Sequence, residues 1–129
     1  MPGGRGPVFS VEALVGKNRL VIRLWGVVTE EEALQIGDAS LRALDRLRPG
    51  FDILSDLTGV TELPESGSGQ IERVVEAARV RGFRRVVRVV GRSALAAVRF
   101  QRSSRNVGHE AYLAFSLEEA EQLLEGGWT

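Results

Sequence analysis

Cysteine is absent from this 129-residue sequence, which excludes disulfides, thiolate metal sites and thiol nucleophiles, and removes any need for an oxidising compartment. A cytoplasmic location is expected. Histidine occurs once, as His109, so a Cys–His pair is impossible and a histidine zinc cage has no second ligand of its own kind. His109 reads as a loop histidine, and neither metal nor cofactor is expected. No apolar run approaches membrane-spanning length. The glycine-rich start, Met1 to Pro7, has no apolar centre and reads as a loose tail, not a signal peptide.

Acidic residues are missing from Ala77 through His109, where Arg79, Arg81, Arg84, Arg85, Arg88, Arg92, Arg99, Arg102 and Arg105 all fall. The segment is basic although the chain's formal net charge is zero. No aromatic interleaving or nucleic-acid motif lies within it, so it is expected to be mainly a solvated face and no nucleic-acid partner is expected. Arg85, Arg88 and Arg92 are the candidates for meeting an anion. Acidic residues gather in Glu30 to Glu32, at Glu62 and Glu65, and from Glu118 to Glu125. Most of these suit the first turns of helices.

What is present has the size of one domain, from about residue 8 to 125, with short tails at 1–7 and 126–129. Val8 to Val15 and Arg19 to Trp25 are β-type runs joined by Gly16-Lys17-Asn18, an antiparallel hairpin. Thr29 and Glu32 form a capping box, and Ala33, Ile36, Ser40, Leu44 and Leu47 then recur at helical spacing until Pro49-Gly50. Phe51 to Leu57 predicts a buried strand, followed by a loop from Thr58 to Gly69. Ile71, Val74, Val75 and Ala78 mark a second amphipathic helix that stops at Gly82. Arg85 to Val90 predicts a strand, Ser93 to about Arg105 a third helix, and Ala111 to Phe115 a short strand. Ser116 and Glu119 then cap a closing helix.

Strands alternating with helices imply an α/β fold: a hairpin feeding βα repeats, with four or five mostly parallel strands and right-handed crossovers. Because Arg23 and Arg88 interrupt their strands, the helices are expected mainly on one face of the sheet, with the other partly solvated. The Gly67-Ser68-Gly69 run before a helix outlines an anion cradle. It lacks the lysine of a P-loop and the third glycine of a dinucleotide fingerprint. A hydrolase would rest only on serines beside glycines, without a full Gly-x-Ser-x-Gly elbow. The chain is therefore expected not to be an enzyme.

The segment Asp56-Leu57-Thr58-Gly59-Val60, followed at Ser66-Gly67-Ser68-Gly69 by the start of a helix, resembles the STAS family of anti-sigma-factor antagonist domains. The resemblance spans most of Val8 to Leu124 and implies a regulatory, non-enzymatic module. By position the family's phosphorylated serine falls on Ser66 and its glycines on Gly67 and Gly69, with Ser68 a nearby alternative acceptor. Asp56 and Thr58 belong to the same implied switch. Pro64 stands where the family has aspartate and Glu65 where it has the first serine, so the surroundings a kinase reads are altered. The resemblance implies an anti-sigma-factor or kinase-like protein partner, and an exposed sheet face or edge admits a homodimer. A SpoIIAA-like branch with a degenerate loop implies, as the alternative, a carrier of a lipid or small apolar ligand.

Overall fold

The computed structural model describes residues 9–90 and 112–125. Within them the hairpin forms as β1 (Phe9–Leu14) and β2 (Arg19–Val27), antiparallel, with Phe9 opposite Leu24 and Leu14 opposite Arg19. Asn18 takes the left-handed conformation at the turn, with φ 54°. Its side-chain amide donates to the Arg48 carbonyl at 3.1 Å, and its Oδ1 accepts from the Arg48 N–H at 2.9 Å. Asparagine tolerates the left-handed backbone better than most residues, and here its side chain also ties the turn to Arg48, distant in sequence.

Helix α1 (Glu30–Leu44) starts at the expected capping box, with Thr29 and Glu32 each bonding the other's backbone N–H. It ends a turn earlier than the apolar spacing suggested, and Leu47 packs against the core from the turn that follows. Strand β3 (Asp52–Glu62) is parallel to β2 and to β4 (Arg85–Val89), and β4 is parallel to β5 (Tyr112–Ala114). The five strands lie in sequence order. Between β3 and β4 runs α2 (Ser66–Val80), and α3 (Leu117–Leu124) follows β5. The helix expected from Ser93 to about Arg105 lies outside the described residues, as do Arg92 and His109.

The segment expected as a loop from Thr58 to Gly69 is mostly ordered into other elements. Strand β3 continues to Glu62, because β2 keeps pairing with it through Trp25–Gly59, Gly26–Val60 and Val27–Glu62. Two register shifts make this extension fit. A Cβ on Gly59 would lie 2.7 Å from the Cβ of Trp25, so the close approach of the two strands requires glycine there. On the partner strand, Gly26 takes φ 73°. Only Leu63, Pro64 and Glu65 separate β3 from α2.

Each face of the sheet carries its own core. Leu20, Ile22, Leu24, Ile53 and Val86 pack under α1 and α2, with Ala33, Ile36, Leu44 and Ala78 above them. On the opposite face Val21, Leu54, Val87, Val89 and Ala114 pack against Ala120 and Leu124 of α3. The helices thus lie mainly on one face, but α3 covers part of the other. Arg23 and Trp25 remain exposed on the part that α3 leaves open.

Arg88 departs from expectation. Strand alternation puts it on the side of Val86, beneath α1 and α2, and it is only 2% exposed. The sequence shows an arginine among valines but not which face is covered, and the covered face took it.

Three arginines close the end of the sheet where the strands begin, and they do so at the C-terminus of α3. Arg84 chelates the buried Asp52 carboxylate, Nε to Oδ1 at 3.0 Å and Nη2 to Oδ2 at 2.7 Å, and also donates to the Leu124 carbonyl at 3.1 Å. Arg85 donates to the Leu123 carbonyl at 3.1 Å, and Arg19 pairs with Glu125 at 3.0 Å. The last carbonyls of a helix have no partner within it and carry the negative end of its dipole, so guanidinium donors satisfy both needs.

Candidate functional site

Ser66 opens α2 and its side chain is exposed. The helix has no acidic residue in its first turn, and Glu65 at the N-cap makes no side-chain capping bond. The Gly67 N–H donates to the Pro64 carbonyl at 2.9 Å, and the helix start presents positive partial charge with no carboxylate in its first turn to offset it. Gly67 is buried against Leu63. A Cβ there would lie 3.0 Å from Leu63 Cγ and 3.2 Å from Cδ1, so the glycine lets the connecting loop lie close to the helix start. Ser68 and Gly69 continue the same turn, and Gly69 is exposed.

Asp56 and Thr58 pair with each other. Asp56 Oδ1 accepts from the Thr58 N–H at 3.1 Å and from its hydroxyl at 2.7 Å. They sit on β3, set back from the connecting loop by the strand residues up to Glu62, and form a local turn of their own on the strand. The structure thus keeps Ser66 to Gly69 together as one helical turn and leaves Asp56 and Thr58 as a separate polar pair.

The arginines proposed from sequence do not form one anion site. Arg85 points to the face covered by α3, where it bonds the Leu123 carbonyl. Arg88 points to the other face, and Arg92 lies outside the described residues. Alternation along one strand makes this unavoidable, since positions three apart have opposite parity.

Sequence reasoning missed a cleft between the sheet and the α1–α2 pair, with a volume of about 50 Å³. Ile22, Leu24, Ile53 and Val86 form its floor, Ala33, Ile36 and Gly37 of α1 one wall, and Gly67, Ile71 and Val74 of α2 the other. Its polar contributors are Ser40, Ser55, Gln70 and Arg88. Ser40 spends its proton on the Ile36 carbonyl at 2.7 Å, and Gln70 accepts from Arg73 at 2.9 Å near the helix surface. Ser55 and Arg88 are register partners on β3 and β4, side by side on the floor. Burial pushes the Arg88 guanidinium down to about 9, still above neutral pH, so it remains a cation. The alternation Arg85-Val86-Val87-Arg88 against Ile53-Leu54-Ser55 was the signal that this pair shares a face, once the pairing is known.

Among the described residues no cluster of three or more histidine, cysteine or carboxylate side chains is placed to hold a metal ion. No helix among them is long and apolar enough to cross a membrane.

No protein-family model matches the chain, and no curated protein matches it by sequence. Solved structures do match. One is the anti-sigma factor antagonist SpoIIAA in its unphosphorylated form, 20% identical, with TM-score 0.69 over 92% of this chain and 98% of that one. Another is an uncharacterized DUF3478-family protein with a SpoIIAA-like fold from Shewanella loihica PV-4, 15% identical, with TM-score 0.66 over 94% of this chain and 97% of that one. A likeness at these identities is a likeness of fold. It extends over nearly the whole of each chain, and the chain has the STAS, or SpoIIAA-like, fold.

Proposed function

We propose that this protein is a non-enzymatic regulatory module that binds a protein partner in the cytoplasm through the short β3–α2 connection and the first turn of α2. The observation that carries this reading is Ser66: an exposed hydroxyl on the first residue of a helix whose first turn holds no carboxylate. A phosphate there would be favoured by the helix dipole and would replace a neutral contact with about −1.5 to −2 charges at the surface a partner touches. Glu65 adds one like charge beside it, and as an exposed side chain it is screened by solvent and salt. The fold supports the reading by analogy, since one structural neighbour is an anti-sigma factor antagonist.

The test is affinity capture from native extract with the tagged wild type, Ser66→Ala and Ser66→Asp, together with intact-mass analysis of the recovered wild type. The expected result is one protein partner retained by wild type and Ser66→Ala and lost by Ser66→Asp, with a phosphorylated fraction of wild type absent from the captured complex. Equal capture by all three, with the fold intact by circular dichroism, would remove Ser66 from the interface.

A further inference from the structure

We propose that the sheet edge at β1 takes an extended acidic peptide as an added strand, with side chains of the peptide in the groove between β1 and α1 and its carboxylates on Arg42 and Arg46. This surface is separate from the partner surface at Ser66 and does not depend on it.

The open edge comes first. β1 is an outer strand of the sheet, so alternate residues turn their N–H and C=O groups away from β2, where no described strand receives them. Edges are commonly blunted by lysine, proline, a bulge or short length. At the opposite edge β5 has three residues, whereas β1 has six, keeps its register with β2 throughout, and contains neither proline nor a basic residue. Beside it lies a groove of about 300 Å³. Val11, Ala13 and Ala43 supply its apolar lining, and Arg42 and Arg46, both exposed, supply its positive charge.

Charge selects the occupant. The neighbouring carboxylates Asp38 and Asp45 are engaged on the α2 side, with Arg73 and Arg81, each at 2.8 Å. Arg42 and Arg46 have no side-chain hydrogen bond or ion pair among the described residues. Glu12 also borders the groove, but strand alternation puts its side chain with Leu14 on the α3 face. A second copy paired antiparallel through β1 would therefore bring no carboxylate to these arginines, and would set its own Arg42 and Arg46 on the same face of the seam. Spacing sets the peptide's pattern. Arg42 and Arg46 are one helical turn apart, about 6 Å along the axis, and alternate residues of a strand are about 6.4–6.8 Å apart. Two acidic residues separated by one residue match them, while main-chain bonds to β1 supply affinity that does not depend on sequence.

The test offers the full-length protein two pools of capped peptides built from valine, isoleucine and threonine. One pool carries aspartate or glutamate at two alternate central positions, the other asparagine or glutamine, and retained peptides are measured by fluorescence anisotropy. Acidic peptides are expected to bind about tenfold more tightly at low salt, a difference that shrinks at high salt. Arg42→Gln combined with Arg46→Gln should remove the difference and leave the weaker binding of neutral peptides unchanged. N-methylation of alternate peptide residues should abolish binding in one alternating set and spare it in the other, because only one edge of an added strand bonds β1. Equal binding of the two pools, or no binding of either, would overturn the proposal. So would a preference that survives the arginine substitutions, tolerance of both N-methylated sets, or a homodimer through β1 that excludes both pools.

Discussion

Arg84→Met is the perturbation that tests most directly how the end of the sheet is held together. Asp52 is 3% exposed, whereas the Arg84 side chain that chelates it is 48% exposed. Hydrogen bonding to Asp52 holds the Arg84 guanidinium above its ordinary value. Removing the arginine leaves a buried carboxylate without its two charge-assisted bonds and the Leu124 carbonyl without a donor. Breaking a fully buried pair costs about 3–5 kcal/mol. Arg84 is half in water, which both weakens the original attraction and lets solvent reach the vacated carboxylate, so about 2–3 kcal/mol is expected. For a chain of this length, that lowers Tm by roughly 6–12 °C. The assay is urea and thermal unfolding of wild type, Arg84→Met, Asp52→Leu and the double variant. Because an unpaired buried charge costs more than an apolar replacement of both partners, the double variant should be more stable than Arg84→Met alone. A loss under about 0.5 kcal/mol, in the range of an ordinary surface substitution, would refute the reasoning. So would a double variant less stable than the sum of the single changes.

Gly69→Ala meets nothing within 4 Å and lies inside α2, so it should stabilise the fold by about 0.5–1 kcal/mol in chemical denaturation. Gly67→Ala, two residues earlier in the same turn, should gain less or lose stability, because its Cβ presses on Leu63. Glu125→Gln should flatten the acid limb of the stability curve. Its hydrogen bond to Arg19 holds the folded carboxyl below the ordinary glutamate value, so the wild type has this contribution above that ordinary value and loses it as pH falls through the lower folded one. Unfolding midpoints of the two proteins should therefore converge at low pH and separate near neutrality, and parallel curves would contradict the assignment.

Much of the fold was legible because its signals are local. Thr29 and Glu32 cap α1, Ser116 caps α3 through the Glu119 N–H, and β-type runs on either side of Asn18 make the hairpin. These depend on residues three or four apart, or on a turn, and need no knowledge of the rest of the chain. The glycine-serine stretch was less legible. Glycine and serine are weak helix formers, so Ser66 to Gly69 read as loop, yet they form the first turn of α2 once Leu63 packs against Gly67.

Sequence by itself determined the order of elements and the sheet's direction of growth. Successive right-handed crossovers place the helices that link parallel strands on one face, and α1 and α2 obey that. Nothing in that rule governs α3, which no strand of the described chain follows, and its side was decided by the apolar surface of Leu54, Val87 and Val89 that needed cover. The same tertiary choice decided the cleft. Parity along β4 separates Arg85 from Arg88, but only strand pairing brings Arg88 beside Ser55, and only α1 and α2 make that floor a cleft. Periodicity is written in neighbouring residues, whereas the covering of a face is settled by segments far apart in the chain competing to bury apolar area.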